Sequence, residues 1–217
     1  MRSAESIIEV IMAIFVVATG SAAATSLVVS AMQSNGLSRD NLIALNLAVE
    51  GIEGMRNIRD SNWLKFGFNK ELCWNMQPGK VECNDVDKIK DGNYTLFLDT
   101  ATMSWNLSDL PTTDILNLEG NATTAAQFQL YFMDLDDIKD TDGNGTATDD
   151  PDLYVAAGTP GVGTASRFYR MITLEYPDGY SVGQSVNVSV LVQWKGATVH
   201  QVRLNTTLTN YNKVKKT

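Results

Sequence analysis

The segment Asp140-Thr141-Asp142-Gly143-Asn144-Gly145-Thr146-Ala147-Thr148-Asp149-Asp150 places oxygen ligands at alternate positions. Asp140, Asp142, Asn144 and Gly145 match the first half of the pattern D-x-[DN]-x-[DN]-G. There, glycine permits the sharp turn that lets carboxylate and amide oxygens converge on a hard cation. Such loops close on a bidentate glutamate, and Pro151 occupies that position here. Asp149, Asp150 or Asp152 would supply the missing carboxylate in a different geometry, and Thr146 is a further oxygen donor. With Asp140, Asp142 and Asn144 they form a candidate structural Ca²⁺ site. The other reading is a solvated acidic turn, because Asp, Asn and Gly are ordinary loop residues.

Cys73 and Cys83 are the two cysteines, and Pro78-Gly79 between them is a turn signal. In a domain outside the cytoplasm the two sulfurs would close a disulfide worth about 2–3 kcal/mol. In a reducing compartment they would stay thiols. Little else suggests catalysis. Two cysteines cannot build a four-cysteine zinc site. The one histidine, His200, lies in a strand-like run and reads as a strand residue rather than a ligand. No P-loop or GxGxxG occurs, so neither nucleotide hydrolysis nor dinucleotide chemistry is indicated. We expect no enzyme. The formal charge is −8, from 17 basic and 25 acidic residues. Without a basic stripe, nucleic acid is not an expected partner. Six Asn-x-Ser/Thr sequons begin at Asn93, Asn106, Asn121, Asn144, Asn187 and Asn205. In a chain rich in these residues, chance accounts for much of that number.

A third reactive group is Glu9, at the head of an apolar run. From Val10 to Ser38 no side chain ionises. The apolar part, Ile7 to Met32, spans roughly 39 Å as a helix at about 1.5 Å per residue. That is enough to cross a bilayer. Alanine, serine, threonine and glycine are frequent in it, and small residues let helices approach closely. An ionised Glu9 in hydrocarbon would need a cationic partner. At the headgroup level it would need none. Both readings are open from position alone.

These groups must be positioned by larger elements. After the apolar run, Leu42, Leu45, Val49, Ile52, Met55 and Ile58 recur at spacings of three and four. With no proline before Pro78, the pattern predicts one helix from about Ser6 to Asp60. Its second half should pack on a globular domain, and Gly36, Gly51 and Gly54 are its weak points. Strands are predicted at Tyr94–Leu98, Gln127–Met133, Phe168–Tyr176, Val186–Trp194 and about Thr198–Thr209, the last two as a hairpin. The fold class is therefore α+β: a long N-terminal helix, apolar in its first half, packed on a C-terminal antiparallel sheet.

The run Ala4-Glu5-Ser6-Ile7-Ile8-Glu9-Val10-Ile11-Met12-Ala13-Ile14 resembles the start of type IV pilins and type II secretion pseudopilins. Ala44 to Leu64 is similar to a helix end of pilin-like proteins from small-genome bacteria. The resemblance implies a short leader, 1–4, cut between Ala4 and Glu5. Alanine replaces the usual glycine before the cut, and glutamate the usual, N-methylated phenylalanine after it. Residues 5–38 would be the transmembrane and filament-core helix, 39–64 its amphipathic half, and 65–217 the globular β-rich domain. Glu9 would match the glutamate that pairs with a terminal amine during assembly. The implied function is a structural subunit of a pilus or pseudopilus. Its partners would be copies of itself, the prepilin peptidase, the assembly machinery and, before assembly, the membrane. The precursor would sit in the cytoplasmic membrane with its basic end inside, and the mature chain in a cell-surface filament. The alternative is a single-pass anchor presenting an extracellular Ca²⁺-binding or adhesive module.

Overall fold

The computed structural model describes residues 2–99, 102, 104–108, 112–120, 125–133, 153–156, 164–180 and 184–210. Helix α1 (Arg2–Lys65) is continuous, starting four residues earlier and ending five later than the periodicity predicts. The chain divides into two compact units, Met1–Ile43 and Ala44–Thr217. The first unit is helical throughout its described length.

The second unit contains the rest of α1, the short helix α2 (Lys70–Cys73) and eight described strands. These are β1 (Gly92–Tyr94), β2 (Leu96–Asp99), β3 (Ser104–Leu107), β4 (Gln129–Met133), β5 (Leu153–Ala156), β6 (Thr164–Glu175), β7 (Ser185–Lys195) and β8 (Val199–Thr209). The main sheet is antiparallel with order β5-β4-β6-β7-β8. β1 pairs with β6 near its C-terminal end, Tyr94 opposite Ile172, while β4 pairs nearer its start, Phe132 opposite Thr164. β2 and β3 form a separate ribbon. The α+β class expected from the sequence is thus present.

One face of the sheet is the core. Phe168, Ile172 and Leu174 of β6 and Val188, Val190 and Val192 of β7 are buried on that face. Part of α1 lies against them, and there the helix differs from expectation. Its buried stripe starts on Ala44, Leu47 and Ala48, while Leu42, Leu45 and Val49 are exposed. The reason is proximity. A Cβ at Gly51 would stand 2.9 Å from Val190 Cγ1, and one at Gly54 would stand 2.5 Å from Leu96 Cδ2. Small residues let the helix sit this close at these points, and of the expected stripe Ile52, Met55 and Ile58 remain buried. Gly51 and Gly54 are contact points rather than weak points.

Two strands differ from their predicted form. Tyr94–Leu98 is not one strand: the chain leaves β6 after Tyr94 and pairs with β3 from Leu96. Hydropathy alternation is unbroken across Thr95, so the change of partner leaves no mark in it. The second half of β7 is buried on both faces rather than one. Leu116, Ala125 and Phe128 cover Met171 and Leu191 there, and Leu118 N donates to Gln193 Oε1 at 3.3 Å.

Two phenols near the core set an alkaline limit. Tyr94 Oη donates to Lys90 O at 3.0 Å, and Tyr176 packs on Trp74 with ring centroids 6.3 Å apart. Burial pushes the Tyr94 hydroxyl up from 10.0 to about 12, and burial raises Tyr176 as well. Below pH 10 both phenols are protonated whether the chain is folded or not. Above it the unfolded chain releases protons that the folded domain still holds, so stability falls as pH rises. We expect a constant unfolding temperature to about pH 10 and a decline between about pH 10 and 12. Tyr94→Phe should flatten part of that decline. An unfolding temperature that is level through this window would refute the assignment.

Candidate functional site

The candidate site is the first unit of α1. From Ile7 to Val17 every large apolar side chain is between 56% and 67% exposed. Consecutive residues are involved, so the apolar surface runs around the whole circumference rather than along one stripe. This helix is long and apolar enough to cross a membrane.

Three of its hydroxyls are satisfied within the helix. Thr19 Oγ1 donates to Phe15 O at 2.9 Å, Ser21 Oγ to Val17 O at 2.7 Å and Thr25 Oγ1 to Ser21 O at 2.9 Å. Each hydroxyl bonds the carbonyl one turn earlier, which removes the cost of placing it in an apolar surrounding. Gly20 has open space where a Cβ would stand, so nothing within this chain requires a glycine there. Glu9 is exposed on this surface. Ala4 and Glu5 lie in the first turns of α1. Asp140, Asp142, Asn144, Thr146, Asp149 and Asp150 fall outside the described residues. Among the described residues, no three His, Cys, Asp or Glu side chains gather as a metal site.

Cys73 and Cys83 are bonded, with Cα atoms 5.5 Å apart. Gly79 takes φ +81°, which the turn after Pro78 demands and L residues avoid. Cys73 is buried with Phe66 and Met76. The end of α1 is fastened to the same loop: Asn62 Nδ2 donates to Met76 O at 2.6 Å and to Trp74 O at 3.3 Å. The bridge thus closes a loop that carries core residues. Cys73→Ser with Cys83→Ser should lower stability by about 2–3 kcal/mol, the loop-closure value for so short a ring. Thermal denaturation with and without reductant measures it, and a shift within noise would overturn it.

His200 stacks on Trp194, its cross-strand partner, with ring centroids 5.4 Å apart. It is a strand residue, as its setting in the sequence suggested. One structural position has no counterpart among the sequence motifs. Arg170, on β6 with its side chain 1% exposed, reaches α1 and β2 together. Its Nη1 donates to Glu50 Oε1 at 2.8 Å and Leu47 O at 3.2 Å, and its Nη2 to Leu96 O at 3.0 Å. The one available signal was an arginine at an inward position of an alternating strand. No protein family, curated protein or solved structure matches this chain.

Proposed function

We propose that this chain is a structural subunit of a type IV pilus-like or pseudopilus-like surface filament, assembling with copies of itself through the N-terminal helix. One observation carries the reading: a charge-free stretch of α1, apolar all round and exposed, headed by the carboxylate of Glu9. Burying such a surface is worth about 25 cal/mol per Å² of apolar area, so it favours lipid or other helices over water. The back-bonded hydroxyls of Thr19, Ser21 and Thr25 suit either surrounding.

Prepilin peptidase would cut between Ala4 and Glu5 and free an amine one helical turn ahead of Glu9. In a packed bundle the Glu9 carboxylate of one copy would meet that amine of a neighbour, where low dielectric strengthens the attraction. The membrane would hold the subunit before assembly, and the disulfide-bearing domain would lie outside the cytoplasm. Under this reading the Asp140–Asp150 segment holds a structural Ca²⁺, and the chain has no catalytic role.

A lasting single-pass anchor with an adhesive or Ca²⁺-binding domain would use the same helix, but it needs neither the cut nor Glu9. The test is the mass of the N-terminal peptide from filaments sheared off the cell surface. A peptide starting at Glu5, methylated or not, is the expected result. A peptide starting at Met1, found only in membranes, would overturn the filament reading in favour of the anchor.

A further inference from the structure

β8 has two edges. One pairs with β7 in unbroken register, from Lys195 opposite Val199 to Ser185 opposite Thr209. The other carries no strand among the described residues. Exposed edges are usually blunted by short length, proline, bulges or several charges, because outward N–H and C=O groups invite another strand. β8 has few of these defences. It is 11 residues long, contains no proline and shows no register shift. Arg203 is its one charged side chain.

We infer that the free edge of β8 pairs antiparallel with β8 of a second copy of this chain, about a two-fold axis at Leu204. The strand is complementary to itself in that register. Val202, Leu204 and Thr206 are half-buried on the core face, while Gln201, Arg203, Asn205 and Thr207 are exposed on the other. Pairing about Leu204 puts Leu204 opposite its counterpart and Val202 opposite Thr206, so like faces continue across the joint. On the outer face it puts Gln201 opposite Thr207 and Arg203 opposite Asn205. A slip of one residue would bring apolar positions onto the polar face. The two-residue slip that centres the pair on Arg203 would set two guanidinium groups opposite each other, which is unfavourable. The surface is isologous and closes on two copies. It stands independently of the filament reading, which concerns the other unit.

The register makes a signed prediction. Asn205→Glu would face Arg203 twice across the axis, and Asn205→Lys would set two cations there. In the full chain in detergent micelles, sedimentation should show Asn205→Glu associating roughly tenfold more tightly than wild type, and Asn205→Lys roughly tenfold more weakly. Leu204→Cys should cross-link to itself on mild oxidation, which keeps the test available if a charge variant folds poorly. Equal association of both charge variants, together with no Leu204→Cys cross-link, would overturn the edge contact. So would capture of an unrelated extended peptide that both variants bind alike. Association persisting unchanged through the N-terminal helix would leave the filament reading intact while overturning this one.

Discussion

Glu9→Ala is expected to leave the subunit in the membrane and remove it from the sheared filament fraction. The argument concerns what surrounds the carboxylate. From Val10 to Ser38 the helix offers no other charge, and its large side chains are apolar and exposed. On the filament reading, packed helices would carry Glu9 into low dielectric, where the amine at Glu5 of a cut neighbour is the proposed counter-charge, shared with the Glu5 carboxylate beside it. Removing one member of a buried pair strands the other, which costs about 3–5 kcal/mol per contact. That is roughly two to four orders of magnitude in an association constant. Insertion into lipid depends on the apolar run and should be unchanged. Immunoblots of membrane and sheared fractions, with electron microscopy of the cell surface, provide the readout. Glu9→Asp should retain part of the yield and Glu9→Gln little, because the charge matters more than the hydrogen bond. Wild-type filament numbers from Glu9→Ala would remove the pairing from the mechanism.

How much of this was legible depends on whether a feature is local. The apolar helix is a matter of composition, and it could be seen without any partner. The Cys73–Cys83 bridge is nearly as local, because Pro78-Gly79 fixes the turn that joins its ends. Strands β6, β7 and β8 are long enough for alternation to be counted. β3 and β5 have only four residues each, too few for a period to be counted, so alternation leaves no sign of them. Features set by tertiary contact were misread. The C-terminal half of the expected α1 stripe, Ile52, Met55 and Ile58, is buried, whereas Leu42, Leu45 and Val49 are exposed and Ala44, Ala48 and Gly51 take the inward positions instead. Gly54 was read for its helix propensity, a cost of about 1 kcal/mol. What decides it is the Leu96 methyl and the Trp105 ring above it. In the candidate site, the self-satisfied hydroxyls follow directly from their spacing on a helix. The role of Glu9 depends on neighbours outside one chain.

Arg170 should be the most sensitive position of the second unit. It sits in the inward row of β6 between Phe168 and Ile172, both buried. A hydrocarbon there would pack on α1, whereas the guanidinium instead joins three elements. It takes the Glu50 carboxylate and Leu47 carbonyl from the helix, and the Leu96 carbonyl from β2. Leu96 also lies over Gly54, so the arginine and the close helix contact act on the same residue. Arg170→Ala would leave a carboxylate without its cation, a carbonyl of β2 without this donor, and a void. Stranding one partner of a fully buried ion pair costs about 3–5 kcal/mol, less here because Glu50 is 29% exposed to water, and a large-to-small core change alone costs about 2–5. Because these terms overlap, about 4 kcal/mol is expected, a large part of the 5–15 that holds a typical domain together. Arg170→Met restores much of the volume and separates packing from charge. If the ion pair dominates, Arg170→Met should remain strongly destabilised, and adding Glu50→Gln should recover part of the loss, a coupling that a double-mutant cycle reads directly. Denaturation of the full chain in detergent, followed by tryptophan fluorescence, gives the four stabilities. A loss below about 1 kcal/mol in Arg170→Ala, the scale of an exposed pair, would mean that α1 is held to the sheet by the apolar stripe alone.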